Sequence, residues 1–292
     1  MNYARRHAGQ RLLGLLARAA RLSVLLVLAL LAAQVQASSQ QGLQTEVGRL
    51  LAPDISRIVK RGELVVALTT TDTEPFFFVR EGRLQGVDIE LAEKIGSALG
   101  VPVRFDRSPK THDEVIHHVA IGRADLGVGK LARTLKRAQS VVFSVPYIKL
   151  EHGLLINRAA FARLAEGQTL SQTVRRFNGT IGVIAGSAWE EFASRNFPLA
   201  KIVPFRTWGQ ALEAVQSGEV VSIYRDALEL QSFIRSKSSL ALTLRTITFR
   251  DLESTISVMI NPQDIVLRSF IDELIAQWIE RPSVTDLLKA LK

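Results

Sequence analysis

The chain has 292 residues, 47% of them hydrophobic, with 37 Lys and Arg against 28 Asp and Glu for a formal net charge of +9. That length exceeds one small core and that composition excludes disorder, so two compact globular units are expected. Cysteine is absent, which excludes disulfides, thiolate metal sites and attachment of a lipid through cysteine.

Arg5, Arg6, Arg11, Arg18 and Arg21 form a basic start without an acidic residue, residues 22–33 are an apolar run, and Val35-Gln36-Ala37 supplies small residues. Residues 1–37 therefore read as a cleavable secretory signal, too short in its apolar part to span a bilayer comfortably; the rival reading is an uncleaved N-terminal anchor. The mature chain is expected in the periplasm. Removing the five arginines lowers the charge from +9 to +4, so no nucleic-acid partner is expected.

Residues 38–60 read as a Ser- and Gln-rich linker followed by a short helix opened by Pro53-Asp54. Residues 63–68 form an apolar run suited to a buried strand. Residues 88–99 have helical spacing, with Leu91, Ala92, Ile95 and Leu99 on one face and Gly100 to end it. A strand over 101–105 follows. Thr111 with Glu114 has capping-box spacing ahead of Val115, Ile116 and Val119, and a third strand covers 124–128. The theme repeats downstream, with strands at 180–184, 201–205 and 220–224. The helices between them open at Ser187/Glu190 and Thr207/Gln210. A further helix carries Leu267, Phe270, Ile271, Leu274, Ile275 and Trp278. Pro282 interrupts it, and a last short helix is expected beyond. Alternating strands and helices predict an α/β protein with mostly parallel sheets flanked by helices.

Several motifs occur in a fixed order: Arg61-Gly-Glu-Leu-Val-Val66, Glu74-Pro-Phe-Phe-Phe78, Gly86-Val-Asp-Ile-Glu-Leu-Ala92, Gly122-Arg-Ala-Asp125, Thr134-Leu-Lys-Arg137 and Phe143-Ser-Val-Pro-Tyr147. In that order they resemble the type 2 periplasmic solute-binding proteins, in the amino-acid-binding branch (family 3). The resemblance implies two lobes with a cleft between them, lobe one from 61–149 plus 254–292 and lobe two from 150–253. It also implies closure of the lobes on a ligand.

The resemblance makes Arg137 the cation for a ligand carboxylate, because a guanidinium replaces lost water with two parallel hydrogen bonds. The plainer reading is a solvated basic face shared with Arg133 and Lys136. Asp226 falls where the family places the acceptor of a ligand ammonium, but Asp226-Ala-Leu-Glu229 is also a capping box. Ser187 and Ala188 stand at a helix start whose free N–H groups attract an anion. Phe76 is either an apolar wall of the cleft or a core residue. Lys130 and Ala132 depart from the small or hydroxylated residues usual in the family, and Val221 stands where an aspartate is usual. Lys130, if it faces the cleft, favours a ligand with a second anionic group or one with no ammonium.

His112, His117 and His118, with Asp113, suggest a metal only weakly, since no third convergent ligand is evident. No catalytic residue, metal or cofactor is expected. The function implied is a non-enzymatic, monomeric binding protein. It would capture a small carboxylate-bearing solute, an amino acid foremost, for an inner-membrane permease. The alternatives are a sensing or regulatory module acting through a partner, and a dehydratase on the same scaffold.

Overall fold

The computed structural model describes residues 50–278 and 286–287. The expected signal segment, the stretch 38–49 and most of the chain beyond Pro282 lie outside the described residues. The chain divides into two compact units, Met1–Ser56 and Arg57–Lys292. Of the first, the described residues contribute the start of helix Pro53–Arg61; both large sheets belong to the second.

In chain order the strands are β1 (Leu64–Ala67), β2 (Phe78–Arg80), β3 (Arg83–Gln85), β4 (Val103–Asp106), β5 (Leu126–Gly127), β6 (Val142–Phe143), β7 (Ile148–Asn157), β8 (Thr180–Ile184), β9 (Lys201–Phe205), β10 (Ser222–Asp226), β11 (Leu244–Ile256) and β12 (Met259–Ile260). One sheet has the order β4-β1-β5-β12-β6 and the other β11-β7-β10-β8-β9, while β2 and β3 pair as a hairpin.

Each sheet has a parallel core of three strands. In the first, β1 runs parallel to β4 and β5. All four residues of β1 are buried, as befits an apolar strand covered on both faces. In the second, β8 runs parallel to β10 and β9. Strands from the segments that pass between the sheets add antiparallel: β12 against β5 and β6, and β7 against β10 and β11. The chain leaves the first sheet from β6 into β7 and returns from β11 into β12. The β7–β11 ladder runs from Ile148↔Ile256 to Asn157↔Leu244, with a register shift between Phe249 and Glu253.

The helices bury the faces that the sequence periodicity marks. Leu91, Ala92 and Ile95 of helix Val87–Leu99 are buried, and Gly100 ends it at φ 73° with its N–H on the Gly96 and Ser97 carbonyls. Val115, Ile116 and Val119 of helix His112–Ala120 pack with Val65, Ala67 and Met259. In the second core Ala211, Leu212 and Val215 of helix Trp208–Ser217 meet Leu155, Ile223 and Leu244. Thr207 and Gln210 form the full reciprocal capping box, whereas Thr111 caps Glu114 N alone and Glu114 turns to Lys110 N. Asp125 accepts from the Val65 N–H at 2.8 Å. In the second sheet, where Val221 replaces the aspartate, the Thr180 hydroxyl accepts from the Val221 N–H at 2.9 Å. No helix among the described residues is long and apolar enough to cross a membrane.

Candidate functional site

A cavity of about 90 Å³ lies between the two sheets. Lys130, Ala132 and Arg137 line it from the loop that follows β5, and His112 from the start of helix His112–Ala120. Ser187, Ala188 and Trp189 line it from the far side, with Arg225 and Asp226 at the end of β10. Six of the seven residues singled out in the sequence therefore share one cavity. Phe76 does not: it is fully buried in the core, and its ring lies 5.1 Å beneath the Lys130 ammonium.

The loop carrying Lys130 is anchored at both ends of its turn. Lys130 has a left-handed backbone, φ 55°, a conformation that crowds Cβ against the following carbonyl in any residue but glycine. Its N–H donates to Asp88 Oδ2 at 2.7 Å, and the Tyr147 hydroxyl donates to Asp88 Oδ1 at 2.6 Å. Two of the sequence motifs thus meet at one buried carboxylate. Burial raises the Asp88 pKa to about 6 against the pull of those hydrogen bonds. Farther along, Arg133 N–H donates to Thr255 O and Ser257 N–H to Leu131 O, so the loop is sewn to the end of β11.

Arg137 is 5% exposed. Its Nη1 donates to Ala132 O at 2.8 Å, and among the described residues it forms no ion pair with a carboxylate. Burial lowers its pKa, with Asp113 and Glu191 opposing; a guanidinium nonetheless stays charged. Those two carboxylates are engaged elsewhere. Asp113 pairs with Lys136 at 2.8 Å, and Glu191 accepts from the N–H groups of Leu135 and Lys136.

Across the cavity four charges form a closed network. Lys130 Nζ lies 2.9 Å from Asp226 Oδ2 and 3.1 Å from Glu229 Oε1. Arg225 reaches Glu229 at 3.2 Å and Asp226 at 3.7 Å, while its guanidinium stacks 4.5 Å over the Trp208 ring. Asp226 also caps helix Ala227–Ser236 by accepting from Glu229 N at 3.1 Å. The reciprocal half of the capping box is missing because the Glu229 side chain turns to Lys130 and Arg225. Burial works to raise the Glu229 pKa, but those two cations outweigh it and hold the carboxyl well down. Arg225 Nε is buried and donates to nothing among the described residues.

Ser187 Oγ accepts from Trp189 N at 3.3 Å and donates to Ile184 O at 2.6 Å, which places the start of helix Ala188–Asn196 at the cavity. His112 is kept neutral there: burial, and then the charges of Arg137, Arg225 and Lys130, push it down to about 3. The histidines do not converge. His118 pairs with Asp106 at 3.0 Å, His117 is exposed, and no group of three metal-ligating side chains exists among the described residues. Sequence reasoning misses Arg225, Glu229 and Trp189 as site residues. The Asp226/Glu229 spacing reads as a cap, and nothing local in the sequence ties Glu229 to Lys130.

Residues 65–289 match the model of the bacterial extracellular solute-binding proteins, family 3. Cyclohexadienyl dehydratase of Pseudomonas aeruginosa is 26% identical over 250 residues, covering 85% of each chain. Membrane-bound lytic murein transglycosylase F of Maricaulis maris is 27% identical over 202 residues, 67% of this chain and 42% of its own. Among solved structures, an amino acid ABC transporter substrate-binding protein from Streptococcus pneumoniae bound to L-arginine has TM-score 0.63 and 25% identity, covering 80% of this chain and 98% of that one. An ancestral amino acid-binding protein, a precursor of cyclohexadienyl dehydratase, has TM-score 0.63 and 24% identity, covering 82% and 100%.

Proposed function

The chain belongs to the bacterial extracellular solute-binding proteins of family 3, and from that premise we propose that it captures a small carboxylate-bearing solute in the periplasm and delivers it to a membrane permease. The observation that carries this reading is Arg137. A buried guanidinium without a counter-ion is unfavourable unless something anionic arrives, and it faces a cavity into which a carboxylate fits. The helix start at Ser187 and Ala188 lines the opposite side, where the positive end of the helix favours an anion.

Titration calorimetry of the purified chain against small carboxylates tests this. Arg137→Ala is expected to weaken the best ligand by at least about thirtyfold, the low end for removing one partner of a buried charge pair. The variant gives up the bond to Ala132 O but should still unfold in one cooperative thermal transition. Unchanged affinity in Arg137→Ala would remove the residue from the site.

The likeness to a dehydratase supports a second reading, an enzyme on the same scaffold. Against it, the carboxylate that lines the cavity, Asp226, and its neighbour Glu229 are both engaged in ion pairs. Release of water from a cyclohexadienyl acid, followed by absorbance, distinguishes the two.

A further inference from the structure

We infer that Lys130 supplies from within the protein the ammonium that a free amino acid would bring, so that the ligand of this site is a small carboxylate anion without an amino group. The inference rests on the carboxylate reading above and narrows it.

Three observations lead to it. The first is position. The Lys130 side chain is 8% exposed and its Nζ sits between Asp226 and Glu229, at 2.9 and 3.1 Å. Asp226 is the one carboxylate lining the cavity among the described residues, and both it and Glu229 are paired to this lysine, so the acceptors an incoming ammonium needs are already taken. The second is charge balance. Lys130 and Arg225 match Asp226 and Glu229, so this network has no carboxylate to spare for the ammonium of a zwitterion. An α-ammonium would also meet Lys130 as a like charge, a juxtaposition that disfavours a partner strongly. The third is geometry. The lysine stands at φ 55° in a turn that glycine would enter freely, held there by Asp88. A strained position occupied by a buried charged side chain points to a retained role rather than to surface decoration.

The remaining donors suit an oxygen-rich anion. Arg225 lines the same cavity, and its Nε, 3.7 Å from Asp226 Oδ2, is buried without a hydrogen-bond partner among the described residues. A 2-oxo or 2-hydroxy oxygen can accept from such a donor, where an ammonium cannot. The cavity of about 90 Å³ has room for a small organic acid.

The test compares matched pairs differing only at the 2-position: L-alanine with pyruvate, L-glutamate with 2-oxoglutarate, and L-phenylalanine with phenylpyruvate. Affinities are read by calorimetry on the whole chain. In the wild type the oxo acid of the best-bound pair should be at least tenfold tighter than its amino acid. Lys130→Met, which removes the charge and frees the two carboxylates, should move that ratio at least tenfold toward the amino acid. Lys130→Gly, which also relieves the left-handed backbone, should do the same and serves if the methionine variant does not fold. An amino acid that binds the wild type as tightly as its oxo acid, or a ratio that either folded variant leaves unmoved, overturns the inference while the carboxylate reading stands. Failure of every carboxylate to bind overturns both.

Discussion

Asp88→Asn isolates the carboxylate that seats the Lys130 turn. Asp88 is fully buried, and burial raises its pKa from the ordinary 3.8 to about 6. A folded-state pKa above the unfolded value means that the native state holds the proton more tightly. The stabilisation is therefore fully present below pH 3.8 and is lost as pH rises through about 6. At about 1.36 kcal/mol for each pH unit between the two values, the loss is about 3 kcal/mol. Asparagine keeps the shape: its Oδ1 can accept from Lys130 N–H and its amide can donate to the Tyr147 hydroxyl. It does not titrate. Urea unfolding measured at half-unit steps from about pH 4 to about pH 7 gives the difference in stability between variant and parent. That difference should move against the variant by about 3 kcal/mol as pH falls across the window. Taking the difference removes the buried histidines, which change stability in the opposite sense over the same range. A difference that stays flat within about 1 kcal/mol would show that Asp88 does not carry a raised pKa.

His152 is 1% exposed, and burial, then Arg195, lowers its pKa from 6.5 to about 4. Its stabilisation is present above the ordinary value and lost as pH falls toward about 4, by about 3 kcal/mol, and His152→Phe should remove that part of the acid slope in the same urea series. Gly86→Ala tests the entry to helix Val87–Leu99: at φ 124° an added Cβ would overlap the Phe76 carbonyl, standing 2.6 Å from its carbon. A loss of about 3 kcal/mol or more is expected from the combined clash and strain, read as a drop in thermal midpoint; a change below about 1 kcal/mol would refute the tight packing of that turn.

The strands and helices that carry the cores were legible because each has one dominant period. The apolar run around Leu64–Ala67 and the 3.6-residue stripes of Leu91, Ala92, Ile95 and of Val115, Ile116, Val119 bury as the pattern demands. The long strands β7 and β11 were not legible. Most of β11 is neither fully buried nor alternating, because it follows the passage between sheets instead of lying over one core. It therefore lacks the face-by-face contrast from which a strand is read. The β2–β3 hairpin escaped for a related reason: Phe78–Arg80 and Arg83–Gln85 are three residues each and mostly solvated.

At the site the sequence supplied the residues and withheld the pairings. Capping spacing correctly marks Asp226 as the start of a helix, yet the same spacing conceals that Glu229 serves Lys130 and Arg225 instead of the cap. The departure at Lys130 is visible in the chain; what it does depends on a partner 96 residues away, which no local pattern reports. The energetics argue that the pairing is not incidental. A left-handed lysine forgoes about 1–2 kcal/mol, and burying its ammonium adds a desolvation penalty of several kcal/mol. Both are offset only where two carboxylates converge, as Asp226 and Glu229 do. Removing either carboxylate alone leaves one cation of the network short of a partner. The four charges therefore act as a unit, and single substitutions within it are not additive. Double-mutant cycles between Lys130 and Asp226 should accordingly give coupling well above the few tenths of a kcal/mol found for independent sites.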